Sequence, residues 1–422
     1  MNFKQWLLTE ELHTIDAHMS VPEELEEITK IMKHHGKICY VVGGAVRDHL
    51  FNAFHGMNKE INDYDLATNA LPEETRKILH NKTIGNLKLE IFDKGIDQGV
   101  LSIIVKDQNN HKVNEFEIAT FRREVYSGTS RKPERTEFGA TPEEDTQRRD
   151  LNYNSLFYDP IHKKIKDFNS GKGIDDIKNK KTSVVGDPYQ RFYEDKLRVL
   201  RVVRFFNRYN DDNILTHMDD QTKNAIAEFK NLESVSKERI NKEFLSGLKQ
   251  SKSPANFVKS LIDLDLFHNI MPTVKMPNLK PLDEMNHNLP AMLAYILSEE
   301  TPNKKLSDSL IKYKFEYDVI TPAMIILKTY NMFKNPNNNE YRIHDIAREI
   351  KRISYKSIEP FMKHFGFETE SEKLFDYKPK YSGADVANLG LKGKEISDKL
   401  DKIEKDNFFN NNIWTSKNGY YN

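Results

Sequence analysis

Ile38-Cys39-Tyr40-Val41-Val42-Gly43-Gly44-Ala45-Val46-Arg47-Asp48 is the stretch on which the fold turns. Residues 38–42 read as a buried strand, the glycine pair breaks it, and residues 45–54 carry a helical pattern. Strand, tight turn and helix N-terminus therefore follow one another. By itself a glycine pair is a tight turn, but ahead of a helix its backbone N–H groups also suit phosphate oxygens. Upstream, residues 21–36 read as a helix, with Pro22 in the first turn, Glu23, Glu24 and Glu26 at its positive end and Gly36 as the stop. Downstream, the apolar run 100–105, the turn residues Asn109-Asn110 and the strand 116–121 suggest a hairpin. Beyond about residue 190 strand signals fade and helical patterns continue to the C-terminus. The result is an α/β head on a helical body, with no fixed-period repeat. Polar breaks at 210–213, 301–305 and 335–339 are the natural linkers.

Composition limits what such a chain does. Its 422 residues correspond to about three domains. Lys+Arg and Asp+Glu number 64 each, so blanket affinity for nucleic acid is not expected and any nucleic-acid site is local. Residues 161–210 are the place for one, with thirteen Lys/Arg against six Asp/Glu. The same surplus also suits an exposed basic helix face. A mean hydropathy of -0.70 and the lack of a long apolar run indicate a soluble protein without a membrane span. The single cysteine, Cys39, forms neither an internal disulfide nor a thiolate metal cluster, which fits a reducing, cytoplasmic setting. Glu10, Glu11 and Asp16 make residues 1–20 unlike a secretory signal or a basic transit peptide.

The chemistry-bearing residues are spread along the head. Asp63-Tyr64-Asp65 sets two carboxylates two apart, on one face if the segment is a strand, within reach of a divalent cation. Hard oxygen ligands of this kind suit Mg²⁺ that shares its coordination with substrate phosphates, although a D-x-D taken alone is more commonly a turn or a solvated acidic edge. Arg47-Asp48 lie one turn into the helix after the glycines. Glu115 and Glu117 alternate with Phe116 and Ile118, and Glu117, ahead of Thr120-Phe121-Arg122, is the better candidate for a third acid. Residues 126–136, rich in Ser, Gly, Thr, Arg and Lys, read as a mobile loop over a site.

Arg148-Arg149-Asp150 with Asn154 places guanidinium groups where they suit a triphosphate and an amide where it suits a ribose hydroxyl. A surface ion-pair network is the plainer alternative. Asp195 and Arg198 are three apart in a helix running from 194 to about 209, hence on one face. A carboxylate accepting from an amino group beside an arginine donating to a ring nitrogen accepts cytosine and adenine and rejects guanine and uracil. An i,i+3 surface salt bridge has the same spacing.

Taken in order, these residues resemble the class II tRNA nucleotidyltransferase and poly(A) polymerase family. Gly43 to Asp48 with Asp63 to Thr68 resembles its catalytic motif A, and Arg148-Arg149-Asp150 through Asn154 its motif B, here with Leu151-Asn152-Tyr153 where Phe-Thr-Ile is usual. Asp167-Phe168 with Gly171 and Asp175 resembles the hinge motif C. Glu194-Asp195 with Arg198, Leu200, Arg201 and Arg204 is similar to the base-reading motif D, and Ser236 to Ile240 with Glu243-Phe244 to motif E. A fainter likeness to the tRNA-holding tail lies in Gly383 to Val386, Leu389 to Leu391 and Gly393.

The resemblance implies an α+β protein. A polymerase-β-like nucleotidyltransferase head with a mixed or antiparallel sheet, residues 21–165, would follow an N-terminal extension, 1–20. A neck for base recognition, 166–250, a helical body, 251–340, and a helical, tRNA-binding tail, 341–422, would complete it. It implies CCA addition to the 3′ end of tRNA from CTP and ATP, with the acceptor arm as partner and two Mg²⁺ held by Asp63 and Asp65; the strand alternation, which equally suits a half-exposed polar face, adds Glu117 as a further catalytic acid. Gly43, Gly44, Arg47, Arg149, Asp150, Asn154, Asp195, Arg198, Arg201 and Arg204 would bind the nucleotide, and loop 126–136 would assist the change from C to A. Poly(A) synthesis, addition of CC or A alone, and a catalytically silent RNA-binding protein are the alternatives. Without a His/Asp cluster, no phosphohydrolase domain is expected.

Overall fold

The structure, a computed structural model, describes residues 13–125, 134–337, 340–386, 389–410, 413–415 and 419–421. It divides into two compact units, residues 1–232 and 233–422. That boundary falls inside the stretch 166–250 expected as one neck.

The first unit is built on a nine-stranded mixed sheet in the order β1-β11-β10-β2-β3-β7-β6-β5-β4. Its strands are β1 (Thr14–Asp16), β2 (Cys39–Val42), β3 (Asp65–Thr68), β4 (Thr83–Ile84), β5 (Leu87–Gly95), β6 (Val100–Lys106), β7 (Lys112–Thr120), β10 (Leu156–Asp159) and β11 (Lys164–Asp167). A separate pair, β8 (Arg122–Val125) and β9 (Arg135–Phe138), runs antiparallel beside it. Its helices are α1 (Glu23–His34), α2 (Gly44–His55), α3 (Pro72–Leu79), α4 (Pro142–Gln147), α5 (Lys172–Lys178), α6 (Pro188–Glu194), α7 (Leu197–Tyr209), α8 (Ile214–His217) and α9 (Asp220–Phe229).

Every residue of β2 and β10 is buried, which is why they read as unbroken apolar runs at the sheet centre. The β6–β7 hairpin is longer than its apolar core suggested, because ladder pairing of Lys112 and Asn114 carries the strand back to residue 112 although Lys112 and Val113 are exposed. Residues 14–16 of the expected N-terminal extension form the sheet's edge strand, Thr14 pairing with Lys166. Of the loop expected at 126–136, residues 126–133 lie outside the described residues, and Arg135 and Thr136 belong to β9. Leu151 and Tyr153, in the unusual Leu-Asn-Tyr segment, are fully buried, and Tyr153 packs edge-on against Phe51, Phe205 and Tyr209.

The second unit is mainly helical, from α10 (Lys237–Gln250) and α11 (Pro254–Asp263) to a last helix at Lys394–Asn410. Gly247 lets α10 meet α11 closely, since a Cβ there would come within 2.0 Å of the Phe257 ring. The C-terminal part is not wholly helical as expected: Ile413–Thr415 pairs with Gly419–Tyr421 in a short antiparallel ribbon.

Candidate active site

The glycine turn and the acidic residues meet at the middle of the sheet. Gly43 has φ 70 and ψ -124, a backbone conformation that favours glycine, and a Cβ on it would lie 4.0 Å from Asp65 Oδ2. The carboxylate therefore faces bare backbone where α2 begins. Asp65 opens β3, opposite Val42 of antiparallel β2 and opposite Glu117 of parallel β7. Register thus sets Glu117 beside Asp65, whereas Glu115 is held by Ser102 Oγ at 2.8 Å and Lys112 Nζ at 3.2 Å. Glu117 itself forms an ion pair with Lys94 at 2.8 Å, a residue that no local sequence pattern marks.

One expectation is corrected here: Asp63 does not share the strand. β3 starts at Asp65, and Asp63 lies exposed on the approach to it, so period-two alternation does not set their relation. Proximity does. Burial, then repulsion from Asp63 and Glu117, pushes the Asp65 carboxyl up to about 6, with Arg149 and Lys94 pulling the other way.

The consequence for metal-free protein has a definite sign. Between pH 3.8 and about 6 folded Asp65 keeps a proton that the unfolded chain has lost, so stability falls as pH rises through that window. Urea midpoints in chelator across pH 4–7 should show this slope, and Asp65→Asn should flatten it; equal slopes would contradict the assignment.

Hard carboxylate oxygens at Asp63 and Asp65, crowded enough to raise a pKa, fit Mg²⁺. Among the described residues no group of three or more His, Cys, Asp or Glu side chains is placed to hold a metal ion by itself. The fit is therefore to an open site completed by water and phosphate, with Glu117 turned to Lys94.

The segment after α4 is organised by an acid the sequence reading passed over. Asp145, 1% exposed, takes Arg148 at 2.7 Å and Arg149 at 3.0 Å. Burial would raise its pKa, but the two guanidinium groups hold it below the usual carboxylate range. Its i,i+3 and i,i+4 spacing to the arginines was the available signal. Arg149 also donates to the Asn154 carbonyl at 3.2 Å and stands 5.1 Å from the Phe157 ring centroid. Asp150 accepts from Leu151 N, Asn154 Nδ2 and, at 2.6 Å, Arg201 Nε. Burial opposes its ionisation, and Arg201 outweighs burial, holding the carboxyl at about 2.

Arg47 is not at a phosphate-facing surface. It is 5% exposed, donating to Asp48 Oδ1 at 3.1 Å, Tyr209 Oη at 2.5 Å and Asn154 Oδ1 at 2.6 Å. Its place on the first turn of α2 points the side chain into the α2–α7 packing, 4.8 Å from the Phe205 ring centroid. Arg47 thereby orients Asn154.

The junction of α6 and α7 differs from the single helix expected across it. α6 ends at Glu194, Asp195 is extended at φ -147, and α7 begins at Leu197. Asp195 and Arg198 thus do not share a continuous helix face. Arg198 pairs with Glu194 at 2.8 Å and donates to the Arg148 carbonyl at 3.0 Å, while Asp195 Oδ1 accepts from Leu197 N at 3.2 Å. Arg204, 7% exposed, lies 4.1 Å from the Phe205 ring centroid, and Arg201 bridges back to Asp150. Several cations of the basic stretch 161–210 are used internally in this way: Lys163 pairs with Glu26, Arg191 with Glu194 and Arg208 with Asp48.

Known proteins resemble this chain in sequence and in fold. Residues 39–183 match the family described as the poly A polymerase head domain, and residues 217–276 that described as the probable RNA and SrmB- binding site of polymerase A. The CCA-adding enzyme of Enterococcus faecalis is 34% identical over 248 residues, 57% of this chain and 54% of that protein, so the chain matches about half of that relative's length. That of Ligilactobacillus salivarius is 29% identical over 427 residues, 93% of this chain and 95% of the relative. The solved Bacillus stearothermophilus CCA-adding enzyme in complex with CTP shares the fold at a TM-score of 0.64 and 22% identity, covering 92% of this chain and 93% of that one. Among the described residues no helix is long and apolar enough to cross a membrane.

Proposed function

We infer, from a chain that belongs to the tRNA nucleotidyltransferase and poly(A) polymerase family, that it adds C, C and A to the 3′ end of tRNA from CTP and ATP, releasing pyrophosphate, in the cytoplasm. The observation that carries the reading is Asp65, held between the bare backbone of Gly43 and Glu117 in a carboxylate cluster that repels its own charge. A silent RNA-binding fold has no use for such a cluster.

In this reading Asp63 and Asp65 would hold two Mg²⁺, which would supply Lewis acidity toward the charge of the α-phosphate and the pyrophosphate group. Gly43 and Gly44 offer backbone N–H donors to the phosphates from the start of α2. Arg149, fixed by Asp145, presents a guanidinium edge to the triphosphate. Asn154, oriented by Arg47 and Asp150, meets the ribose. Asp195, Arg198, Arg201 and Arg204 line the base end, with Glu194 and Asp150 setting the angles of Arg198 and Arg201. Rejection of G and U follows from the buried donors and acceptors that those bases leave unpaired. Glu117 holds Lys94 beside the site. The match of residues 217–276 to an RNA-binding segment supports a role for the following helices in gripping the tRNA acceptor arm.

Pyrophosphate release tests this directly. With a tRNA lacking its last three nucleotides, CTP alone should release two equivalents and CTP plus ATP three, with none from GTP or UTP. Release that continues with ATP alone would identify a poly(A) polymerase, and RNA binding without release would leave only a binding protein.

A further inference from the structure

We propose that Tyr209, Asp48 and Arg208 form a latch that fixes the aim of α7 relative to the glycine turn, making them positioning residues for nucleotide selection; this rests on the function proposed above. The Tyr209 hydroxyl accepts from Arg47 Nε at 2.5 Å and donates to Asp48 Oδ1. Arg208 Nη2 donates to the other Asp48 oxygen at 2.8 Å. The Tyr209 ring lies flat on Phe51 of α2, with centroids 3.7 Å apart and planes within 1°. Tyr209 is fully buried and Asp48 is 7% exposed, so the contact is a built one and not a surface ion pair. Burial works against the Asp48 charge, and Arg47 and Arg208 overcome it, holding the carboxyl below its ordinary value.

The placement of this group gives it leverage. Asp48 sits four residues into α2, about 6 Å along the helix from Gly44 at its start. Tyr209 closes α7, about 16 Å along the axis from Arg198. One nucleotide must satisfy both ends at once, phosphates at the turn and base near Arg198. Over that length a tilt of about 5° shifts one end of α7 against the other by about 1.4 Å, more than the tolerance of a hydrogen bond. The near end of α7 is already attached to residues 148–150 through Arg198 and Arg201. The latch ties the far end to α2, the helix that starts at the phosphates. Base and phosphate sites are thereby set in one frame, and errors in that frame fall on the discrimination between bases, which depends on direction, more than on binding in general.

Tyr209→Phe removes the hydroxyl and keeps the ring on Phe51; Arg208→Lys keeps the charge and loses the fork. In the full-length protein, kcat and KM would be measured for CTP against UTP at the first addition and ATP against GTP at the last, alongside the urea unfolding transition. The expected result for Tyr209→Phe is a selectivity, as a ratio of kcat/KM, lower by about tenfold, carried mainly by a higher KM for the correct nucleotide, with unfolding still cooperative. Arg208→Lys should move the same ratio in the same direction by less, and it decides the matter alone if Tyr209→Phe does not fold. Unchanged selectivity in an active protein, whatever happens to the rate, overturns the latch and leaves the proposed function standing. A wild-type protein that extends no tRNA overturns that function and the latch together.

Discussion

Asp65→Ala is expected to slow nucleotide addition by about 10³-fold or more, because several kcal/mol of transition-state charge stabilisation depend on the ions it would hold. The side chain sits against the glycine turn and next to Glu117, so no neighbouring carboxylate takes its place without moving a strand. Under the proposed function, binding of tRNA should change little, since a carboxylate adds nothing to the attraction between cations and RNA phosphates. Single-turnover extension at saturating CTP, paired with a filter-binding titration of tRNA, separates the two effects. Stability supplies an independent check. The wild-type carboxyl is raised to about 6 by burial and like charge, so at neutral pH its ionisation costs folded metal-free protein free energy. The alanine variant should therefore unfold at a higher urea concentration than wild type at pH 7 in chelator, while being far less active. A variant that loses tRNA binding as severely as turnover would contradict the metal-holding role.

The second large effect concerns folding. Arg47→Ala should destabilise the first unit by about 3 kcal/mol, near the lower end of the range for breaking a buried ion pair, because Arg208 still holds one oxygen of Asp48. The loss also strips Asn154 Oδ1 and the Tyr209 hydroxyl of their guanidinium donor. Urea denaturation at pH 7 measures it, and Arg47→Lys should recover only part, since an ammonium restores charge without the planar fork. A change under about 1 kcal/mol would mean that the network relaxes around the gap and that Arg47 is not its hub.

Much of the head was legible because its signals are local. The strand 38–42 and its glycine turn follow from an apolar run ending in residues that permit positive φ, and the structure places Cys39–Val42 and Gly44–His55 there. The hairpin was legible from its apolar half only; where Lys112 to Asn114 extend it, pairing with β6 overrides composition. At the site, adjacency of Glu117 and Asp65 depends on a parallel register between strands about fifty residues apart, information that no local window holds. Asp195 was misplaced for a related reason. Glu194 to Arg198 has helical spacing throughout, yet Asp195 is extended between two helices, and Arg198 donates to the Arg148 carbonyl, a contact fifty residues away in sequence that no local window holds. The exclusion of Arg47 from the surface was hidden likewise, since its partners Asn154 and Tyr209 come from distant segments. Residue types and order announced the chemistry, and long-range packing decided which side chain faces which.

Product length tests the proposed function most directly. Purified protein with Mg²⁺ and a tRNA lacking its last three nucleotides would be given CTP, ATP, both, or GTP with UTP, and the products resolved at single-nucleotide resolution. A CCA-adding activity gives two added residues with CTP alone, three and no more with CTP and ATP, and none with GTP and UTP. An open-ended ladder with ATP alone, or unextended tRNA in every lane, would contradict it.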